Sequence, residues 1–248
     1  HIILTEAGEE FLPFARRTIL DAEDAVQRLN DLQNVRTGTL RIGVTYSLST
    51  VLTEGVITFL KTYPGIKLEI VYKTVDELLL LLRERKVDFV LSYKPLCDAP
   101  DIDSMMLFEN SLALVVSVEH PLAGRKKIGL QELSGMELVL PSKGLQARTM
   151  FDKLTENKDF VLKSSLELNE TNILLQMVAT GHYATILSTS ALFGKPRFRA
   201  IPIDEPGNVM EASLLCLSGA YRKSSAKEFI KILLETDAVK RRLMNLYE

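Results

Sequence analysis

From Leu40 onward, apolar segments with the two-residue period of β-strands alternate with segments that have the spacing of amphipathic helices. Strands are predicted over 40–44, 66–72, 87–92 and 112–118, and helices over 51–63 and 76–86. Parallel strands need long crossover connections, and helices between successive strands supply them. The pattern therefore predicts an α/β fold with a largely parallel sheet.

A second α/β unit follows the first. Strands are predicted over 137–140, 161–168, 184–187, 198–203 and 213–217, with helices after residue 144, over 171–180 and around Phe229. Pro202 cannot donate a backbone hydrogen bond, so we expect its strand near a sheet edge. Two α/β lobes are predicted, and we expect the last strand and helix to return to the first lobe.

Residues 1–36 differ from everything that follows. Their apolar positions recur in steps of three and four, the spacing of a heptad seam. This seam consists of Leu12, Ala15, Ile19, Ala22, Val26 and Leu29. A single helix with such a stripe cannot bury it alone. The stripe must pack on a second copy of the helix, which the heptad spacing favours, or on the chain's own domain.

The composition excludes several classes of protein. The net charge of −2 over 248 residues produces no strong field toward nucleic acid or anionic lipid. No apolar run reaches the length of about 18 residues typical of a membrane span. Cys97 and Cys216 are far apart in the sequence and form neither a metal-ligand spacing nor a disulfide framework, which favours a reducing cytoplasm.

Polar side chains occupy four segments that each lie between a predicted strand and a helix. These segments are 45–50, 73–74, 141–144 and 169–171. In open α/β sheets, ligands bind beyond the carboxyl ends of the strands, where helix amino termini present free N–H groups. Serine, threonine and asparagine in such places also act as helix caps, and the residues alone leave both roles open.

The sequence contains no recognisable catalytic constellation. His120 lies beside a proline in a turn, and His182 follows the glycine that ends a predicted helix. No nucleophile elbow, zinc-protease motif, phosphate loop or dinucleotide fingerprint is present. We therefore expect a binding protein without enzymatic activity, cofactor or metal.

Several motifs resemble the LysR-type transcriptional regulators. Residues 3–8 (I-L-T-E-A-G) resemble the L-T-E-A-G segment that joins the winged helix-turn-helix domain of that family to its linker helix. Residues 37–43 (T-G-T-L-R-I-G) resemble the family's entry into the effector domain. Further similarity lies at residues 59–64, 87–90, 120–122 and 221–234, so that the resemblance covers essentially the whole chain in the expected order.

The resemblance implies two Rossmann-like lobes of type II periplasmic-binding-protein architecture, preceded by a linker and dimerisation helix over 1–36. Lobe I would comprise 37–117 and 213–248, and lobe II 118–212, with crossings near 115–119 and 212–217. A small effector would bind between the lobes, and the chain would form homodimers or homotetramers. DNA would be bound only through the winged helix-turn-helix domain, which this sequence lacks. By position, the effector contacts would be Tyr46, Ser47, Ser49, Thr74, Ser142, Lys143, Asn169 and Thr171.

Two questions stay open at this point. A periplasmic-type solute-binding protein would have the same lobes, although the heptad helix argues against it. The effector is expected to be an anion because several cations lie near the predicted cleft, although Glu170 argues the other way; these cations are Lys73, Lys94, Lys143 and Arg148. The segment 181–183 (G-H-Y) is bulkier than the small-residue turn usual in the family, which puts the adjoining cleft wall in doubt.

Overall fold

Three β-sheets, of five, four and two strands, form the body of the protein in a computed structural model. The structure describes residues 3–32, 37–95, 99–237 and 239–240. Arg36, at the predicted helix end, and Cys97 lie outside the described residues. The mixed α/β architecture predicted from the alternating pattern is confirmed, and each sheet belongs to one lobe.

The sheet of lobe I has the strand order β2-β1-β3-β11-β4. Its strands are β1 (Gly38–Val44), β2 (Ile66–Tyr72), β3 (Phe89–Tyr93), β4 (Ile102–Asn110) and β11 (Met210–Leu217). β1 runs parallel to β2 and β3, whereas β11 is antiparallel to both β3 and β4. The sheet is therefore mixed rather than largely parallel. β4 was missed because this edge strand lacks the alternation of buried and exposed residues.

Three helices cover the two faces of this sheet, namely α2 (Ser49–Thr62), α3 (Val75–Arg83) and α6 (Ser224–Glu235). α2 and α6 pack together through Phe59 and Phe229, whose ring centroids are 5.2 Å apart. α3 forms a separate apolar cluster on the sheet, with Leu78 at its centre. A Cβ atom on Gly43 would lie 2.7 Å from Leu78 Cδ2, so the close approach of α3 to β1 requires a glycine there.

Lobe II contains a four-stranded sheet with the order β6-β10-β5-β9 and a parallel pair, β7-β8. The strands are β5 (Leu112–Ser117), β6 (Ile128–Gly129), β7 (Glu137–Pro141), β8 (Lys163–Leu168), β9 (Thr185–Ser188) and β10 (Phe198–Asp204). The Val139 N–H donates to the Ala184 carbonyl at 3.0 Å and so places β7 beside the start of β9. The helices of this lobe are α4 (Gln146–Thr155) and α5 (Thr171–Val178).

The chain passes between the sheets at Ser111 and again over residues 205–209, which differs from the predicted crossings. β5 was assigned to lobe I, but it pairs with β9 and β10 of lobe II. All six residues of β5 are buried, and such an apolar run carries no sign of which sheet it joins. The start of β11, assigned to lobe II from residue 210 to 212, pairs with β4 of lobe I. By strand pairing, lobe I spans 38–110 and 210–240, and lobe II spans 111–209.

Pro202 lies in β10, which is an inner strand and not the predicted edge. The pairing explains how a proline fits there. Pro202 pairs with Ala113 of β5 on one side, while β6 begins to pair on the other side only at Ile203. Its missing N–H therefore faces a position without a neighbouring strand.

The amino-terminal helix α1 (Glu6–Leu32) is 27 residues long and lies beside lobe I. The Arg28 guanidinium lies 4.8 Å from the centroid of the Tyr221 ring, which ties the helix to the loop before α6. Leu12 and Ala15 are half-buried, whereas Ile19, Val26 and Leu29 are about 60% exposed. None of the described helices combines the length and the hydropathy that crossing a membrane requires.

Candidate functional site

A narrow cleft lies between the lobes at the carboxyl ends of β1, β2 and β7. It is lined by four of the eight predicted effector contacts, namely Tyr46, Ser47, Thr74 and Thr171. The cleft holds about 20 Å³, which is room for roughly one water molecule. Its remaining walls come from Thr45, Lys73, Val75, Pro141, Leu145, Gln146, Ala147 and Leu187.

The other four predicted contacts are not among the residues that line this cleft. Ser49 is the first residue of α2. The Ser142 backbone N–H donates to the Leu168 carbonyl at 3.0 Å and so closes the end of the β7-β8 pair. The side chains of Lys143 and Asn169 are exposed. In this arrangement of the lobes, the structure brings together half of the predicted set.

Helix capping was the alternative role for the serine, threonine and asparagine residues of the four polar segments. Most of these residues do not cap a helix in the structure. At α5 the cap is Glu170, whose carboxylate accepts from the Asn172 and Ile173 N–H groups at 3.0 Å each. α2 and α4 have no side-chain cap, because Leu48 and Leu145 occupy those positions. Hence Ser47, Ser49, Ser142 and Thr171 do not cap these helices.

Thr74 is the exception, because it both lines the cleft and caps α3. Its N–H and hydroxyl lie 3.0 and 2.9 Å from Glu77 Oε2 in a capping box. The Thr74 backbone N–H, followed by the Thr74 hydroxyl and Lys73, lowers the pKa of Glu77 from 4.5 to about 2. The start of α3 is therefore firmly held at the cleft.

Thr45 is a cleft residue that the sequence reasoning did not single out. Its side chain is 5% exposed, and its Oγ1 has no hydrogen-bond partner among the described residues. A buried hydroxyl left unpaired costs about 1–3 kcal/mol, so a ligand or a water that pairs with it is favoured. The available signal was its place as the first residue after β1, at the head of the hydroxyl-rich segment 45–50.

The cations that suggested an anionic effector are mostly engaged in ion pairs. Lys73 Nζ lies 3.1 Å from Glu77 Oε1, and Lys94 Nζ lies 3.4 Å from Glu211 Oε2. Arg148 is 4% exposed and contacts the carboxylates of Asp152 and Glu167 at 2.7 and 2.8 Å. Because these cations are already paired, they give little support for the prediction that the effector is an anion. The cleft offers mainly hydroxyl and amide groups.

Direct hydrogen bonds through Tyr93 join the two lobes. The Gln146 carboxamide of α4 pairs with the backbone of Tyr93 at the end of β3, accepting from its N–H at 3.2 Å and donating to its carbonyl at 2.9 Å. The Tyr93 hydroxyl lies 2.6 Å from Ser190 Oγ of lobe II and accepts from Asn110 Nδ2 at 2.8 Å. These contacts were not predicted, since no local pattern marks partners 53 and 97 residues apart.

The described residues do not show a metal centre, because no group of three or more His, Cys, Asp or Glu side chains is arranged to hold an ion. The His120 Nδ1 accepts from the Leu122 N–H at 3.2 Å, and burial lowers the pKa of the His120 imidazole. This histidine therefore organises the turn that follows β5 in lobe II.

Three residues of the predicted seam, Ile19, Ala22 and Val26, line a groove of about 650 Å³ between α1 and lobe I. The opposite wall includes Arg41, Tyr221 and Lys223. The seam therefore faces its own lobe without being buried by it, and much apolar surface stays open to a partner.

Comparisons with known proteins agree with this architecture. A sequence model of the LysR substrate binding domain matches residues 33–238. The transcriptional dual regulator GltC of Bacillus subtilis (strain 168) is 25% identical over 95% of this chain and 79% of the relative. The probable nitrogen assimilation transcriptional activator of Synechococcus elongatus is 26% identical, over 82% of this chain and 68% of the relative.

A solved structure shows the same fold at low sequence identity. The regulatory domain of CcmR from Synechocystis PCC6803, in complex with 2-PG, has a TM-score of 0.71 at 20% identity. The match covers 80% of this chain and 96% of that domain.

Proposed function

The chain belongs to the LysR substrate binding domain family, and from that premise we propose that it senses a small-molecule effector for a DNA-binding transcriptional regulator. The named relatives with similar sequences are transcriptional regulators, which favours this role over a periplasmic-type solute-binding protein. They also favour a protein without enzymatic activity that acts in the cytoplasm. Contact with DNA would come through a winged helix-turn-helix domain joined to α1.

The observation that carries the proposal is the cleft where α3 and the segments after β1 and β7 meet between the lobes. Tyr46, Ser47, Thr74 and Thr171 line it, and the Thr45 hydroxyl lacks a partner there among the described residues. We assign the effector contacts to these residues. Ser49, Ser142, Lys143 and Asn169 would take part only in a different arrangement of the lobes. A ligand that favours one arrangement shifts the equilibrium by its difference in affinity.

The homodimer is proposed to form through α1. Its half-exposed seam follows the heptad spacing on which helix pairs are built. Pairing would bury the apolar residues that lobe I leaves open, and a change in lobe arrangement would reach the DNA-binding domains through the same helices.

Titration calorimetry and solution scattering together test the sensing role. We would titrate a panel of hydroxylated metabolites, together with the 2-PG that the CcmR domain binds. A member that binds should change the scattering profile, and Tyr46→Ala should weaken its affinity at least tenfold. Tyr183→Ala is the control, because both tyrosines are 36% exposed and only Tyr46 lines the cleft. Binding that ignores Tyr46 and leaves the shape unchanged would contradict the proposal.

A further inference from the structure

A second and much larger cavity, which we name the side chamber, adjoins the cleft. It holds about 530 Å³, within the range of roughly 300–1,000 Å³ that small-molecule sites occupy. Its walls come from α3, the end of β3, the first turn of α4 and the start of β11. The cleft is too small for an organic molecule in this arrangement, whereas the side chamber is not.

The chemistry of its walls selects a ligand class. Leu79, Met150 and Met210 form a buried apolar surface, and methionine side chains adapt to rings and irregular shapes. Three of the four charged residues of the wall are already paired. Arg83 forms two hydrogen bonds to Asp101, at 2.6 and 3.0 Å, and Lys94 pairs with Glu211.

Asp76 is the wall carboxylate that the described residues leave without an ion pair or a side-chain hydrogen bond. It lies in the first turn of α3 and is exposed to the chamber and to solvent. An apolar ligand with a cationic group would place that group against Asp76 and its hydrocarbon part against the methionines.

The side chamber is also coupled to the arrangement of the lobes. Leu79 and Met210 belong to lobe I, and Met150 belongs to lobe II, so its volume depends on how closely the lobes approach. Gln146 lines both the chamber and the cleft while its carboxamide bridges to the Tyr93 backbone of the other lobe. A molecule in the chamber that contacts Gln146 would therefore affect the hydrogen bonds between Gln146 and the Tyr93 backbone directly.

We propose that the side chamber binds a small, mainly apolar amine whose ammonium group pairs with Asp76, and that Gln146 separates this ligand from the cleft. The inference rests on the proposed sensing function and names a further ligand site within it.

Titration of the full chain with three compounds tests the ligand class. Benzylamine is the cationic ligand, benzyl alcohol its uncharged analogue and benzoate its anionic analogue. We expect benzylamine to bind at least tenfold more tightly than either analogue. Asp76→Asn should weaken benzylamine binding about tenfold. Asp159→Asn, an exposed carboxylate outside the chamber wall, should leave it unchanged. Equal affinities for the three compounds, or an unaffected D76N variant, would overturn the proposal.

A blocking variant tests the location. Thr149 is exposed and lines the chamber, so Thr149→Trp should abolish benzylamine binding, whereas Lys153→Trp on the outer face of α4 should not. Undisturbed binding in T149W would place the amine elsewhere and overturn the inference. If a cleft ligand binds in a Tyr46-dependent way and benzylamine does not bind at all, the chamber proposal is wrong and the sensing function is unaffected. If neither binds and the scattering never changes, both fail.

Discussion

Two buried threonine hydroxyls lack a hydrogen-bond partner among the described residues, and they lie in different surroundings. Thr45 lines the cleft between the lobes, whereas Thr185 is fully buried in β9. Each carries the cost of a desolvated hydroxyl. Only Thr45 is placed where a ligand could reach it. A comparison of the two threonines therefore distinguishes the effect of an unpaired hydroxyl on stability from its effect on ligand binding.

Replacement of either threonine by valine should stabilise the protein. We expect Thr45→Val and Thr185→Val each to raise the free energy of unfolding by about 1 kcal/mol, because the unpaired hydroxyl is removed. Only Thr45→Val should also weaken the affinity for the cleft ligand, by about tenfold. Urea denaturation and calorimetry measure the two effects. Unchanged ligand affinity in T45V would remove Thr45 from the site.

At the scale of the element, the capping box of α3 sets the position of a helix that borders both the cleft and the side chamber. Thr74 and Glu77 close it, and Lys73 adds an ion pair at 3.1 Å. Val75, the first residue of α3, lines both cavities. A loosened amino terminus would therefore disturb both candidate sites.

The capping box should make stability depend on pH in acid. The folded pKa of Glu77 is about 2, below its ordinary 4.5. Its contribution is thus present above pH 4.5 and is lost as the pH falls from 4.5 toward 2. Glu77→Gln should melt at a lower temperature than the wild type at pH 7, and this gap should narrow across that window. Glu10→Gln, on the exposed face of α1, is the control. A gap that stays constant down to pH 2 would count against the capping box.

The seam of α1 can be tested by placing charge on it. Ile19→Glu and Val26→Glu should shift the chain from dimer to monomer, because a carboxylate cannot be buried in an apolar helix pair without a partner. Arg17→Glu adds a carboxylate to the same helix at a side chain 83% exposed and should leave the dimer intact. Sedimentation measures the mass of each variant. Dimers that persist in both seam variants would locate the interface elsewhere.

For the whole molecule, Asn208 connects the two segments that cross between the lobes. Its buried carboxamide accepts from the Leu112 N–H at 2.8 Å and donates to the carbonyls of Leu112 and Ile203 at 2.9 and 2.8 Å. The side chain thus takes the place of a backbone partner at the hinge. The two crossings between the lobes are therefore tied to each other through this one side chain.

Loss of that carboxamide should be costly. Asn208→Ala leaves the Leu112 N–H without its acceptor and takes one donor each from the carbonyls of Leu112 and Ile203, although the Ile203 carbonyl still accepts from the Glu205 N–H at 3.0 Å. We expect the free energy of unfolding to fall by about 2 kcal/mol. Asn169→Ala removes an exposed amide and should change it by less than about 0.5 kcal/mol. Chemical denaturation of both variants measures the difference. A small loss in N208A would show that water or backbone replaces the amide at the hinge.

The sequence itself determined the order of the helices and strands except for β4, which lacks a regular alternation, and β6, which is two residues long. A period of two or of 3.6 apolar residues is a local property of the chain. The same reasoning placed Tyr46 and Thr74 at one edge of lobe I, since parallel strands end at a common edge. It also located the heptad seam of α1, although it could not say which partner covers it.

Tertiary structure alone decided which sheet received β5, because a strand buried on both faces fits either sheet equally well. It also decided that Arg148 is enclosed by two carboxylates and that Gln146 reaches the backbone of Tyr93. The size of the cleft and of the side chamber depends on how far apart the lobes stand. Such pairings and spaces arise from packing between residues distant in the chain, and local periodicity records only which face of each element is apolar.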